Sequence, residues 1–316
     1  MTTDLPCSLR IARVETVAQD IVALTFEAAD GSALPAWEAG AHIDIAVGNG
    51  LVRQYSLTGS DPAVYKLAIL REGNGRGGSI AAHGLKEGDL IGASLPRNHF
   101  ALESAPSYIF VAGGIGITPI IAMIAKAEAQ GAAWTLAYGG RTAASMAYAA
   151  DLVAQYGDKV TLYPQDETGH LPLAQIFAAK TDGALVYCCG PEPLLAAVEA
   201  QAATWPRPED LHLERFTAKE VEAPAGGERA FDVVLAQSGL TLHVPADRTV
   251  LEVLEEAGID VMVSCCSGTC GTCETAVIEG IPDHRDSVLT KAEQAAGKTM
   301  LVCVSRARSD RLVLDL

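Results

Sequence analysis

The chain has 316 residues, a formal net charge of −16, 49% apolar residues and 20% charged residues. This length exceeds one typical hydrophobic core and predicts two or three domains of ordinary globular composition. The charge would repel phosphates, which excludes nucleic acid as an expected partner. The chain contains no run of about 18 apolar residues, so no membrane span is predicted. The N-terminus lacks the pattern of a secretory signal, and we therefore expect a cytoplasmic protein.

Residues 1–103 contain six short alternating apolar runs. Gly, Pro, Asn and Asp punctuate them, and the runs are SLRIARV, IVALTFEA, HIDIAV, RQYSLTG, VYKLAIL and DLIGASL. Short strands with turn signals at this spacing are typical of a small antiparallel barrel. The sequence therefore predicts a β-barrel as the first domain.

The fourth of these runs carries Arg53, Tyr55 and Ser56. Arg is a fork-shaped partner for a phosphate, Tyr offers a flat face to an aromatic ring, and Ser adds a small hydroxyl. A surface Arg beside a half-buried Tyr is the alternative interpretation. The motif alone suggests, but does not fix, a site for a phosphorylated aromatic ligand.

A glycine-rich turn follows in the same domain. It ends in Gly77, Gly78 and Ser79, which run into SIAAHGL, a possible helix. Free amides and a hydroxyl at a helix start suit a phosphate group. The turn therefore favours the ligand-binding interpretation of Arg53.

Residues 104–216 change rhythm and alternate strands with helices. SYIFVAGG, WTLAYGG, VTLYPQ and GALVYCCG read as strands, and amphipathic segments such as TPIIAMIAKAEAQG read as helices. This alternation predicts a parallel sheet with helices packed against it.

The first strand of this domain leads into a glycine loop. Gly113, Gly114 and Gly116 precede a predicted helix with Thr118 as N-cap and Pro119 at its first position. An isolated glycine trio is a weak signal. Its place between a strand and a helix makes it a candidate site for the pyrophosphate of a dinucleotide.

A second candidate lies at the end of a later strand, where Cys188, Cys189, Gly190 and Pro191 follow one another. Ligands of parallel sheets bind at the carboxyl ends of the strands. The acidic residue usual about 20 positions after the glycines is absent, and Arg141 stands there instead. Arg141 could bind a 2′-phosphate, but no second basic residue is close by, which favours NADH over NADPH.

The polar segment 217–229 reads as a linker, and residues 230–316 as a third domain with α and β elements. FDVVLAQSGLTLHVP resembles a hairpin, and TVLEVLEEAGI a helix capped by Asp247 or Thr249.

Four cysteines dominate this third domain. Cys265, Cys270 and Cys273 give the spacing C-x4-C-x2-C, and Cys303 follows later. This is the plant-type [2Fe–2S] pattern, whereas starting from Cys266 gives C-x3-C-x2-C. A four-cysteine zinc site usually has paired CxxC knuckles, and buried structural cysteines are the other alternative. The metal ligands predicted are therefore Cys265, Cys270, Cys273 and Cys303.

These motifs carry resemblances to known families. CCSGTCGTC and MLVCVSRARSDRLVLDL resemble the plant-type ferredoxin β-grasp domain. RQYSL, GRGGS, GGIGITP and the Cys-Gly-Pro motif resemble the ferredoxin–NADP reductase superfamily. The domain order, with ferredoxin last, resembles the phthalate dioxygenase reductase family, including reductases of the vanillate O-demethylase type. It implies a multi-domain flavin barrel, NAD-binding α/β domain and ferredoxin domain.

The resemblance also implies roles for individual residues. It places Tyr55 on the flavin ring, Ser56 near its N5, Cys189 near the nicotinamide and Phe216 against the flavin. Core packing is the alternative for Phe216. The resemblance assigns flavin-phosphate binding to Arg53 and to the glycine turn of Gly77, Gly78 and Ser79. It assigns nucleotide binding to Gly113, Gly114, Gly116, Thr118, Arg141, Cys189, Gly190 and Pro191. Little chain follows the glycine turn to hold an adenylate, which favours FMN over FAD.

The function implied is an NADH-dependent reductase that passes electrons through FMN and a [2Fe–2S] cluster to a protein acceptor. The resemblance implies a Rieske-type oxygenase acting on an aromatic acid, by ring dioxygenation or O-demethylation. We expect a monomer, because a tethered ferredoxin already brings the electron path into one chain. Two alternatives stay open. One is a different acceptor, such as a cytochrome or a diiron monooxygenase, and the other is an iron–sulfur redox sensor.

Overall fold

The computed structural model describes residues 5–48, 50–75, 77–218 and 227–316. The chain divides into two compact units, Met1–Glu214 and Arg215–Leu316. Most of the predicted linker, residues 219–226, lies outside the described residues. Within the described part of the chain, no helix combines the length and the apolar character that crossing a membrane requires.

The first sheet of the first unit is antiparallel and six-stranded, in the order β4-β3-β6-β1-β2-β5. Just beyond β4, the amide of Thr58 donates to the carbonyl of Lys66 in β5 at 2.9 Å, which brings the two outer strands together. The predicted antiparallel barrel is confirmed. Its elements are β1 (Cys7–Ala18), β2 (Ile21–Ala28), β3 (His42–Ala46), β4 (Val52–Ser56), β5 (Tyr65–Leu70), α1 (Gly78–Ala82) and β6 (Leu90–Ala93).

The second sheet of this unit is parallel and five-stranded, in the order β11-β10-β7-β8-β9. Its strands are β7 (Ser107–Gly113), β8 (Ala133–Gly140), β9 (Val160–Pro164), β10 (Leu185–Cys189) and β11 (Leu211–Glu214). Its helices are α2 (Ile117–Ala129), α3 (Ala149–Tyr156), α4 (Gln165–Thr168), α5 (Leu173–Ala178) and α6 (Glu192–Ala202). The predicted α/β architecture is confirmed.

One buried cluster runs continuously through both sheets of the first unit. It includes Leu9 and Ile43 of the barrel and Phe110 of β7. The neighbouring β7 residues Ile109 and Val111 belong to a separate cluster on the other face of the parallel sheet. Because successive side chains of a strand point to opposite faces, each strand of this sheet serves both cores.

The second unit is an α+β domain with its own core. Its five-stranded sheet has the order β13-β12-β18-β14-β16, and β15 pairs with β17 separately. Thr249 and Glu252 form a capping box that begins α7, which identifies Thr249 as the cap. The elements are β12 (Phe231–Leu235), β13 (Thr241–Val244), α7 (Val250–Glu256), β14 (Glu274–Glu279), β15 (Pro282–Asp283), α8 (Lys291–Ala296), β16 (Thr299–Leu301), β17 (Arg306–Ala307) and β18 (Arg311–Leu314).

Candidate functional site

The predicted flavin-phosphate residues meet where β4 faces the start of α1. A Cβ atom on Gly78 would overlap Arg53 Nε and lie 2.8 Å from Arg53 Cδ, so the Arg53 side chain packs directly on the glycine backbone. Gly77 adopts a φ of 80°, in the left-handed region that favours glycine. The guanidinium and the glycine turn therefore adjoin, as a bound phosphate group requires.

The turn is fixed from within by Ser79. Its hydroxyl accepts a hydrogen bond from the Glu72 amide at 3.0 Å, which joins the two ends of the turn. Tyr55 is half-buried on β4, and burial raises its pKa to about 12 against the opposing effect of Arg53. The Tyr55 ring is therefore neutral at physiological pH and offers the flat apolar face that a flavin ring needs.

The two nucleotide motifs are packed together backbone to backbone. A Cβ atom on Gly116 would overlap the Cys189 carbonyl oxygen, and one on Gly113 would lie 2.7 Å from Pro191 Cδ. Gly190 is equally tight, since its Cβ would lie 3.0 Å from Gly113 Cα. These close approaches leave no room for a side chain at Gly113, Gly116 or Gly190, so the two motifs lie together as a dinucleotide site requires.

The start of α2 differs from the prediction. A 3₁₀ turn at Gly114–Gly116 runs directly into the helix, which begins at Ile117 with Gly116 before it. The prediction of Thr118 as N-cap and Pro119 as first residue is therefore wrong. The Thr118 hydroxyl is buried and donates to the Ile115 carbonyl at 3.0 Å, where it supports the glycine loop instead.

A carboxylate that the sequence analysis did not assign joins the barrel to the nucleotide sheet. Glu214 Oε2 accepts a hydrogen bond from the Ser56 hydroxyl at 3.4 Å and a long one from the Cys189 thiol at 3.9 Å. Glu214 and Cys189 are paired residues of β11 and β10. The sequence offered one signal for this role, a charged residue at the end of the short segment LHLE.

The protonation of this trio follows from its surroundings. Burial raises the pKa of Glu214 to about 8, although the Ser56 and Cys189 hydrogen bonds oppose that shift. Burial first and the Glu214 charge second raise the pKa of the Cys189 thiol well above its ordinary value. At neutral pH both groups therefore hold their protons, and the site has two neutral proton carriers beside Ser56.

Two further predicted residues, Arg141 and Phe216, are exposed. Arg141 is exposed just beyond β8, where its carbonyl accepts a hydrogen bond from the Asp166 amide at 3.2 Å. Phe216 belongs to the second unit and is 41% exposed. The roles assigned to both residues stay predictions.

The cysteine loop of the second unit directs backbone donors at one sulfur. The amides of Ser267 and Thr269 both donate to Cys265 Sγ at 3.4 Å. Between them Gly268 has a φ of 71°, and a Cβ there would lie 2.7 Å from Val304 Cγ2. The loop can wrap this closely only with glycine at that position.

Cys266, the neighbour of Cys265, has a different environment. It is exposed and adopts a φ of 48°, which is rare for a residue other than glycine. The left-handed turn places Cys266 at the surface, while Cys265 is half-buried among the amides. This difference supports Cys265 as the ligand of the pair.

The four candidate ligands form two pairs. Hydrogen bonding from Cys270 lowers the pKa of Cys265 to about 4 and raises that of Cys270. In the same way, a hydrogen bond between Cys303 and Cys273 lowers the pKa of Cys273 and raises that of Cys303. The Cys265 charge acts to raise the pKa of both members of the second pair.

This pairing bears on the kind of metal centre. Among the described residues, no three His, Cys, Asp or Glu side chains are grouped so that they could hold one ion. Four cysteine thiolates are nevertheless the donor set that would hold a [2Fe–2S] cluster. Thiolates stabilised by amide donors supply the negative charge that such a cluster needs.

Comparison with known proteins gives two family models. Residues 233–308 match the 2Fe-2S iron-sulfur cluster binding domain, and residues 110–200 match the oxidoreductase NAD-binding domain. The phenoxybenzoate dioxygenase subunit beta of Ectopseudomonas oleovorans is 45% identical over 99% of this chain and 98% of its own length. The similarity therefore extends over all the predicted domains.

Two solved structures are also similar. A phthalate dioxygenase reductase, described as modular for electron transfer from pyridine nucleotides to [2Fe–2S], is 40% identical with a TM-score of 0.70. The match covers 98% of this chain and 97% of that one. An intact type IV self-sufficient cytochrome P450 monooxygenase is 44% identical with a TM-score of 0.92, and this chain spans 41% of it.

The site geometry and the full-length similarity agree on one identity. The flavin-reductase barrel, the NAD-binding sheet and the [2Fe–2S] domain occur in the order found in the solved phthalate dioxygenase reductase. The chain belongs to the phthalate dioxygenase reductase family of iron–sulfur flavoprotein oxidoreductases.

Proposed function

We propose that this chain is the reductase component of a Rieske-type oxygenase that acts on an aromatic acid. It uses NADH, FMN and a [2Fe–2S] cluster, and it acts as a cytoplasmic monomer. The proposed domains are the flavin barrel (1–103), the NAD-binding domain (104–216), a linker (217–229) and the ferredoxin domain (230–316). The named activities of the phenoxybenzoate and phthalate relatives support an aromatic-acid oxygenase as the partner.

The observation that carries this proposal is the meeting of Ser56 and Cys189 at Glu214. Ser56 ends the barrel strand that bears the flavin-binding residues, and Cys189 ends the strand next to the glycine loop. A flavin held by the first and a nicotinamide held by the second would therefore face each other across this trio. Such juxtaposition is what hydride transfer requires.

The cofactors supply the redox chemistry: a flavin accepts a hydride and gives up its electrons singly, and a [2Fe–2S] cluster carries one electron. The protein chain holds and orients these cofactors and keeps their surroundings uncharged. Arg53, Gly77, Gly78 and Ser79 would anchor the flavin phosphate, Tyr55 would pack on the ring, and the glycine loop with Gly190 and Pro191 would position the dinucleotide. Glu214, which holds a proton at neutral pH, and the Cys189 thiol keep the charge near Ser56 neutral.

FMN is proposed over FAD because the barrel leaves little chain beside the glycine turn. The helix α1 ends at Ala82 and β6 begins at Leu90, so only a short connection follows the phosphate-binding residues. Release of the flavin by heat and its separation by chromatography decide the identity. Recovery of FAD would contradict this part of the proposal.

Steady-state NADH oxidation by the flavin-loaded and cluster-loaded protein tests the reductase activity, with ferricyanide and then cytochrome c as one-electron acceptors. We expect turnover with both acceptors and a clear preference for NADH over NADPH. An inert protein with both cofactors bound would contradict the proposal and favour the redox-sensor alternative.

A haem protein is the second candidate acceptor, and the match to the self-sufficient cytochrome P450 favours it. There the equivalent of this chain is part of one polypeptide with a monooxygenase. The genes beside this one distinguish the candidates. A neighbouring Rieske-type oxygenase gene supports the first acceptor and a neighbouring cytochrome P450 gene the second.

A further inference from the structure

The loop between the second and third cysteines contains an unusual donor. The Thr272 hydroxyl lies 3.1 Å from Cys270 Sγ, and the Thr272 amide lies 3.5 Å from the same sulfur. Gly271 precedes Thr272 with a φ of 71°, which turns the chain back toward Cys270. One residue therefore aims both of its donors at one sulfur.

We propose that the Thr272 hydroxyl sets the reduction potential of the cluster by donating a hydrogen bond to the Cys270 thiolate. The inference rests on the proposed cluster ligands Cys265, Cys270, Cys273 and Cys303. Thr272 is a positioning residue in this scheme, since it acts on the metal centre through a ligand.

The direction of the effect follows from charge. A thiolate only accepts hydrogen bonds, so the Thr272 hydroxyl must donate when Cys270 binds iron. A reduced cluster carries one more negative charge than an oxidised one, and part of it lies on the sulfurs. A donor aimed at a sulfur stabilises the reduced form more than the oxidised form, and hydrogen bonds to the sulfurs are a recognised determinant of cluster potential.

A nearby threonine provides a matched control. Thr275 follows Cys273 at the spacing at which Thr272 follows Cys270, but its hydroxyl donates to the Cys273 carbonyl at 3.3 Å. Both hydroxyls are thus engaged near a predicted ligand, and they differ in whether the acceptor is a sulfur. Val replaces Thr with nearly the same shape and without the hydroxyl.

The test is a redox titration of the holoprotein, with the cluster followed by its electron paramagnetic resonance signal. For Thr272→Val we expect the ratio of reduced to oxidised cluster at a fixed potential to fall about tenfold, which is about 59 mV for a one-electron couple. Thr272→Ser keeps the hydroxyl and should titrate close to wild type. Thr275→Val should leave the potential unchanged.

The outcomes separate this inference from the proposed function. Wild-type protein without any [2Fe–2S] spectrum would overturn the cluster assignment itself. A normal cluster whose potential is the same in Thr272→Val and wild type, or shifts equally in Thr272→Val and Thr272→Ser, would overturn the role of the hydroxyl. Should Thr272→Val fail to fold, Thr272→Ala loses the same donor and must show the same fall.

Discussion

The chain contains two adjacent cysteine pairs, one in a strand and one in a loop, and each separates its two members differently. In β10, strand alternation places Cys188 in one buried core and Cys189 in the other. In the cluster loop, a left-handed residue leaves Cys266 exposed while Cys265 is half-buried. The same dipeptide thus yields one candidate functional thiol in each unit, by alternation in one case and by a turn in the other.

The two candidate functional thiols also differ in protonation, and the difference comes from their neighbours. Cys189 is fully buried beside Glu214, and both effects raise its pKa. A hydrogen bond from Cys270 first, and the Thr269 and Ser267 donors after it, lower the pKa of Cys265. Local donors therefore prepare Cys265 to bind metal, while burial keeps Cys189 a neutral thiol.

The largest effect is expected for the cysteine pair of the cluster loop, Cys265 and Cys266. Cys265→Ser should abolish or strongly perturb the cluster, because it removes the sulfur that the Ser267 and Thr269 amides surround. Cys266→Ser should keep the wild-type visible spectrum and iron content, since that side chain is exposed. The reverse pattern would overturn the ligand register.

The next largest effect is expected beside the cysteine pair of β10, where Gly116 packs on the backbone of Cys189. Gly116→Ala should cost roughly 1–3 kcal/mol of stability and weaken NADH binding, because its Cβ would overlap the Cys189 carbonyl. Thermal unfolding and NADH titration measure the two consequences. Gly92→Ala is the control, since its Cβ would make only an ordinary 3.4 Å contact with Leu5. Equal behaviour of the two variants would argue against this packing.

Within the strand pair, Cys189→Ala should slow flavin reduction by NADH on the order of tenfold, because a group that orients the reactants is lost. Cys188→Ala removes a buried thiol on the opposite face of the sheet and should leave that rate near wild type. Stopped-flow absorbance measures both. A slower Cys188→Ala than Cys189→Ala would reverse the assignment.

The smallest effect is a pH dependence of stability from Glu214. Its folded-state pKa of about 8 exceeds the ordinary value of 4.5, so the folded protein binds this proton more tightly than the unfolded chain. The stability that this proton contributes is complete below pH 4.5 and is lost as the pH rises through 8.

Melting temperatures of wild type and Glu214→Gln across pH 4.5 to 9 measure this contribution. Across this pH range the melting temperature of wild type should fall by roughly 2–4 °C more than that of Glu214→Gln, a figure discounted for the partial exposure of Glu214. Parallel curves for the two proteins would show that the carboxyl is not buried as described.

The elements of all three predicted domains follow from periodicity, because strands and helices repeat their apolar residues at different intervals. Contacts between distant residues do not follow in this way. Glu214 went unassigned because Ser56 lies 158 positions away, and no spacing rule links a barrel strand to the end of a parallel strand. The start of α2 was placed too late because a 3₁₀ turn can join a helix without a capping side chain.

The most direct test of the central claim is anaerobic addition of NADH to the holoprotein, with optical and electron paramagnetic resonance spectra recorded together. We predict that NADH bleaches the flavin absorbance and produces the signal of a reduced [2Fe–2S] cluster, while Cys265→Ser gives only the bleaching. Flavin bleaching in wild type without a reduced-cluster signal would contradict the proposed path from the Ser56–Cys189 site to the cysteine loop.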